Sequence, residues 1–206
     1  GQLLRRALAA SSRDLGRLSL ALSLPCGARR LYAELNDLLT RAHFAGLAFN
    51  DALTGLANRA RLRQFLEESV AKARQSETTL AVYFLDLDGF KAINDRLGHH
   101  AGDELLRIVA RRLERLMRAP DLLARLGGDE FIIVQAGLGE RSDSDAVIGR
   151  IQRALGQGIS IGRDQLTIGV SVGGALYPHD ADSVDGVIQH ADAAMYRAKA
   201  PLRQQA

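Results

Sequence analysis

Apolar and polar positions along this chain change period several times, and each change marks an element. Leu80-Ala81-Val82-Tyr83-Phe84-Leu85 is an unbroken apolar run of strand length, preceded by polar Glu77-Thr78-Thr79 and followed by Asp86-Leu87-Asp88-Gly89. Alternation along such a strand points Asp86 and Asp88 to one side and Leu87 to the other. Upstream, Asn58 can cap a helix running to about Arg74. Downstream, a short helix is predicted near Phe90–Leu97. Glu104 to Met117 has helical spacing that would bury Leu105, Ile108, Val109, Leu113 and Leu116. Leu122-Leu123-Ala124 and Phe131-Ile132-Ile133-Val134 flank Gly127-Gly128, which reads as a tight hairpin with two acids, Asp129 and Glu130, at the start of its second strand. A helix near Asp145–Leu155 follows. Ile159-Ser160-Ile161 and Leu166–Val172 then flank Gly162-Arg163-Asp164 as a second hairpin, and a helix from Ser183 to Lys199 closes the chain.

The order strand, helix, strand, strand, helix, strand predicts an α+β fold. Its form would be a ferredoxin-like central antiparallel sheet with helices on one face. The first residues read differently. Residues 1–24 are helix-prone and are broken by Pro25-Cys26-Gly27. A second helical stretch then carries Leu31, Leu35, Leu38, Ala42, Ala45 and Phe49 at alternating spacings of four and three. This heptad pattern lasts under three heptads. It suits either an amphipathic helix lying on the domain or a parallel coiled coil joining two copies of the chain. The predicted organisation is an N-terminal helical extension over 1–49 and an α+β domain over 50–206.

Composition narrows the classes. A length of 206 residues fits one such domain plus an appendage, and 47% hydrophobic with 25% charged residues is ordinary for a globular protein. A formal charge of +3 is too small to argue for nucleic acid, and with 5% aromatics no base-stacking platform is visible. The arginines at 107, 111, 112, 115 and 118 read as a solvated helix face, partly recruited to phosphates. A lone cysteine, Cys26, excludes an internal disulfide and fits a reducing compartment. No apolar run reaches membrane-spanning length and no secretory leader is visible, so a cytoplasmic location without membrane contact by this segment is expected. The start at Gly1 points to a piece of a longer protein, which elsewhere in its length is free to be membrane-tethered.

The chemistry lies in the acids. Carboxylates where a buried strand emerges commonly hold Mg²⁺ against phosphate oxygens. If the Asp86 strand and the Gly127–Phe131 hairpin are neighbours, Asp86 and Asp129 can share a metal. His99 and His100 sit beside a candidate ligand loop but neither reads as a metal ligand, His43, His179 and His190 lack metal-ligand spacing, and no Ser–His–acid or Cys–His set is apparent.

Several ordered motifs then resemble one family. Asp51-Ala52-Leu53-Thr54-Gly55-Leu56-Ala57-Asn58-Arg59, Phe84 through Asp95, Gly98-His99-His100-Ala101-Gly102-Asp103, Arg125-Leu126-Gly127-Gly128-Asp129-Glu130-Phe131 and Ala191 through Lys199 resemble a GGDEF domain, the catalytic unit of diguanylate cyclases. The resemblance covers roughly three quarters of the chain. It implies an architecture shared with nucleotidyl cyclases and polymerase palms, and the joining of two GTP into cyclic di-GMP with loss of two pyrophosphates.

The resemblance also implies site roles. Asp86, the Leu87 carbonyl and Asp129 would hold Mg²⁺ (or Mn²⁺), two ions per active site, and Glu130 would deprotonate or orient the attacking hydroxyl. Asn94 and Asp103 occupy guanine-reading positions; a carboxylate can accept from both guanine donors, which also disfavours adenine. The Gly89–Phe90 turn, Lys91, Lys199 and Arg203 would meet the triphosphate. Here the sequence departs from the family, because Pro201-Leu202 stands where the family has a glycine before its arginine, which puts the role of Arg203 in question. Arg118-Ala119-Pro120-Asp121 matches an Arg-x-x-Asp inhibitory site for cyclic di-GMP. Each domain would hold one GTP, so a homodimer is implied, with the 28–49 helix as the candidate for controlling it. Two other readings stay open: a catalytically silent domain that senses GTP or cyclic di-GMP, and a regulatory domain fused to a phosphodiesterase.

Overall fold

A computed structural model describes residues 48–138 and 144–203, with side chains as far as residue 200. The chain divides into two units, residues 1–48 and 49–206, and the description concerns the second. The helices predicted over 1–24 and 28–49, Cys26, His43 and the Arg203 side chain lie outside the described residues, apart from the last residues of the second helix.

Helix α1 (Arg59–Ser76) starts where Asn58 accepts hydrogen bonds from the Ala60 and Arg61 amides at 3.0 and 3.1 Å, the capping its sequence predicts. Strand β1 (Thr79–Asp88) is longer at both ends than its apolar run. Then come α2 (Phe90–Leu97), α3 (His99–Glu114), β2 (Leu122–Gly127) and β3 (Glu130–Leu138). The chain continues through α4 (Ser144–Leu155), β4 (Ile159–Ile161), β5 (Asp164–Leu166), β6 (Gly169–Tyr177) and α5 (Val184–Arg203). Four strands form one antiparallel sheet in the order β2-β3-β1-β6, while β4 and β5 pair as a separate hairpin. This is the predicted ferredoxin-like order.

Three expectations change. Helices cover both faces of the sheet rather than one. Ala81, Tyr83, Leu85 and Leu87 face a core shared with Leu105, Val109 and Leu113 of α3 and with Ile151 and Leu155 of α4. Leu80, Val82 and Phe84 face another, shared with Leu62, Leu66 and Val70 of α1 and with Val187, Ala191 and Met195 of α5. An unbroken apolar strand requires this, since both of its faces must leave water. Helix α3 begins at His99 rather than Glu104, because Gly98 (φ +83°) turns the chain sharply out of α2 and helix resumes at once. The predicted Leu166–Val172 strand is two pieces: Leu166 ends β5, and β6 starts at Gly169.

Helix α5 lies directly on β6. A Cβ at Gly173 would come within 2.0 Å of the Met195 amide nitrogen and 2.3 Å of the Ala191 carbonyl, so only glycine permits this approach. The approach matters because the far end of α5 carries Lys199.

Candidate active site

The β1–β3 ladder sets Asp86 opposite Glu130, and the β1–β6 ladder sets Asp86 opposite Ser171 and Asp88 opposite Gly169. Gly127 (φ +142°) and Gly128 (φ +52°) turn the chain between β2 and β3, leaving Asp129 in the turn rather than in the strand predicted for it. The Leu87 amide donates to the Asp129 carbonyl at 3.4 Å, which ties the turn to the end of β1. The sequence-predicted acids therefore come together. Asp129 is held above the usual carboxylate range by burial first and by the charge of Asp86 second. Glu130 is raised too, by burial and then by Asp86 and Asp129, with Arg59 pulling the other way. Lys199 forms an ion pair with Asp86, so α5 delivers the expected cation to this cluster.

A buried arginine fixes the hairpin from beneath. Arg125, 9% exposed, donates from Nε and Nη2 to the Gly128 carbonyl at 3.1 and 2.7 Å. Its Nη1 donates to both oxygens of Asp51 at 2.9 and 3.1 Å. Burial works against ionising Asp51, but hydrogen bonds from Thr54 and Arg125 outweigh it and hold its pKa below the ordinary value. Both residues belong to motifs of the sequence, but 74 positions separate them and nothing local pairs them.

Gly89 (φ +75°) caps α2 in a left-handed turn, Phe90 is buried beneath it, and Lys91 is exposed. Asn94 and Asp103, half-buried, lie on α2 and α3, which meet across Gly98. Asp88 accepts a hydrogen bond from buried Ser171 at 2.7 Å, so the second acid of the Asp-Leu-Asp pair is turned toward β6. Ser171 is a site-supporting residue that sequence reasoning missed.

Arg118 and Asp121 form a tight turn, in which the Asp121 amide donates to the Arg118 carbonyl at 2.6 Å and the Arg118 amide to Asp121 Oδ2 at 3.4 Å. They line a cavity of about 380 Å³ together with Gln135 and Arg150. Gln135 donates to Asp121 Oδ2 at 3.2 Å, while Oδ1 is buried without a hydrogen-bond partner. Gln135 and Arg150 had no signal in the local sequence; the ladder and α4 bring them here. One expectation is corrected nearby. Arg112 is not part of a solvated face: it donates to the carbonyls of Ala154, Leu155, Gln157 and Gly158 and so ties off the C-terminal end of α4.

Among the described residues, no three carboxylate, imidazole or thiol groups are gathered as an all-protein metal cage would require. Mg²⁺ rarely uses such a cage, taking one or two carboxylates and completing its shell with substrate phosphates and water. Mutually repelling acids at Asp86, Asp129 and Glu130, one of which draws in an ammonium, suit a hard divalent cation on those terms.

A four-stranded antiparallel sheet thus presents acids at the end of β1 and in a glycine turn beside it. The family described as "Diguanylate cyclase, GGDEF domain" matches residues 48–205, and the chain belongs to it. It is 43% identical over 153 residues to the bifunctional diguanylate cyclase/cyclic di-GMP phosphodiesterase MucR of Pseudomonas aeruginosa, a match covering 74% of this chain and 22% of that protein. It is 41% identical over 177 residues to the diguanylate cyclase TpbB of the same organism, covering 83% of this chain and 39% of TpbB. The chain thus spans only a minor part of these curated relatives. Its fold matches the crystal structure of the GGDEF domain of DgcB from Caulobacter crescentus in complex with c-di-GMP. That match has a TM-score of 0.67 and 32% identity, and covers 75% of this chain and 89% of that one.

Proposed function

We propose that this chain condenses two GTP molecules into cyclic di-GMP, as a homodimer, in a divalent-metal-dependent reaction that its product inhibits. The observation that carries this reading is the convergence of Asp86, Asp129 and Glu130 at the end of β1 and the hairpin beside it. Two Mg²⁺ (or Mn²⁺) ions, when bound, would lower the pKa of the 3′-hydroxyl and neutralise triphosphate charge. Asp86, Asp129 and the Leu87 carbonyl would hold them. The Gly89–Phe90 turn, Lys91, Lys199 and Arg203 would hold the phosphates, and Asn94 with Asp103 the guanine.

In each bond-forming step the 3′-oxygen of one GTP bonds to the α-phosphorus of the other as the bond to pyrophosphate breaks. Glu130, whose raised pKa suits a proton carrier, orients the hydroxyl and takes its proton. Lys199 would pass from Asp86 to the phosphates as the site fills. Incubation with GTP and Mg²⁺ should yield cyclic di-GMP and pyrophosphate, resolved by chromatography. Binding of GTP with no product would instead support the silent sensor.

For feedback, Arg118 can clamp a phosphate or guanine edge, and Asp121 has a buried oxygen awaiting a donor. The Arg118→Ala variant should keep turnover but lose inhibition by added cyclic di-GMP; inhibition equal to that of the wild type would overturn the assignment. GTP as substrate supports a cytoplasmic placement, and no helix among the described residues is long and apolar enough to cross a membrane. The likeness to MucR supports a phosphodiesterase unit elsewhere in the parent protein.

A further inference from the structure

Helices α2 and α3 touch at one point where a backbone carries no side chain. A Cβ at Gly102 would lie 1.9 Å from Asn94 Oδ1, 2.9 Å from its Cγ and 3.3 Å from Phe90 Cζ. The Asn94 amide therefore occupies the volume that any other residue at position 102 would claim. Gly102 sits in the first turn of α3, is buried, and has no left-handed backbone that would by itself demand glycine. Glycine within a helix has a lower propensity than alanine, and with no backbone conformation to require it here, what this position gains is space. The same amide oxygen is buried and lacks any hydrogen-bond partner. A buried orphan acceptor is uncommon in folded proteins and calls for a physical reason. The slot that Gly102 leaves is the space in which this amide oxygen lies.

We infer that Gly102 is a positioning residue for base selection: by leaving a slot between α2 and α3 it sets the Asn94 amide, and through it the preference for guanine. This rests on the reading of Asn94 as a guanine contact. The gap is specific to glycine, because even the smallest side chain must overlap the amide. The overlapped atoms belong to the end of a side chain that can rotate, not to backbone. An alanine at 102 would thus displace the amide while leaving both helices intact. The effect would be on recognition rather than folding.

The test is a double-mutant cycle in the 206-residue chain with Gly102→Ala, Asn94→Ala and both together. It follows KM and kcat for cyclic di-GMP formation, GTP-over-ATP binding and thermal melting. The Gly102→Ala variant should melt within a few degrees of wild type, raise KM for GTP about tenfold, the worth of one base contact, and narrow the GTP-over-ATP preference. In the Asn94→Ala background the same change should add almost nothing, since there is no amide left to displace. Additive effects of the two substitutions would overturn the inference, as would an unchanged or lower KM in Gly102→Ala. Failure of Asn94→Ala alone to alter KM would instead sink the guanine role of Asn94, which keeps the two failures apart.

Discussion

At Asp129 and Glu130 the fold works against ionisation, because burial and the neighbouring Asp86 both favour the protonated carboxyl. The folded chain therefore binds protons more tightly at these positions than the unfolded chain, whose reference values are 3.8 and 4.5. The stability these groups contribute is complete below those reference values and is lost as pH rises through the folded values. At neutral pH, ionised Asp129 is thus a cost to the metal-free protein. Asp129→Asn should raise the metal-free melting temperature at pH 7 by about 1–3 °C, a modest shift because the group keeps partial contact with water. The difference should vanish near pH 3. Adding Mg²⁺ with a non-hydrolysable GTP analogue should reverse the order, stabilising the wild type more than the variant. Melting curves across pH check this, and a variant less stable at pH 7 without metal would contradict it.

Among the elements, the hairpin between β2 and β3 depends most on distant support. Its glycines and acids were legible in the sequence, since the turn chemistry is local and the apolar runs on either side name the strands. What holds it was not. Arg125 and Asp51, which hold it, are 74 positions apart, a separation over which no period or spacing carries information; the same is true of Ser171 and Asp88, 83 apart, which join β6 to β1. The cover on both sheet faces was half legible. The continuous apolar run in β1 demanded it, but α1 and α5 flank the strand-helix-strand-strand-helix-strand unit and only the fold shows where they land. Arg125 gives this support a measurable form. Arg125→Ala leaves half-buried Asp51 with its Thr54 hydrogen bonds but no countercharge, and frees the Gly128 carbonyl. Urea unfolding should show a loss of about 2–4 kcal/mol, below the figure for a fully buried pair because Asp51 retains some exposure. Arg125→Lys should recover only part of it, since one ammonium cannot reproduce the planar fork that meets both partners. Equal stability of wild type and Arg125→Ala would show that the pair does not hold the turn.

For the whole molecule, the decisive feature is that the described domain has one acidic cluster and, under the proposed function, one pair of base-reading positions, Asn94 and Asp103. On that proposal the product has two guanines and two newly made bonds, so its ring would close only when two such domains present their nucleotides to each other. The proposed symmetry makes a prediction at the scale of the assembly. The Asp129→Asn chain should fold at least as well as wild type yet be unable to complete its half of the reaction. Mixed with an equal amount of wild type and allowed to exchange subunits, it should capture half of the wild-type chains in dimers that cannot close the ring. Random pairing then lowers cyclic di-GMP formation per wild-type chain to about half, and a larger excess of variant lowers it further. A chain that made both bonds alone would show no such loss. The titration therefore separates a shared active site from an independent one, using only the acid that the hairpin turn carries.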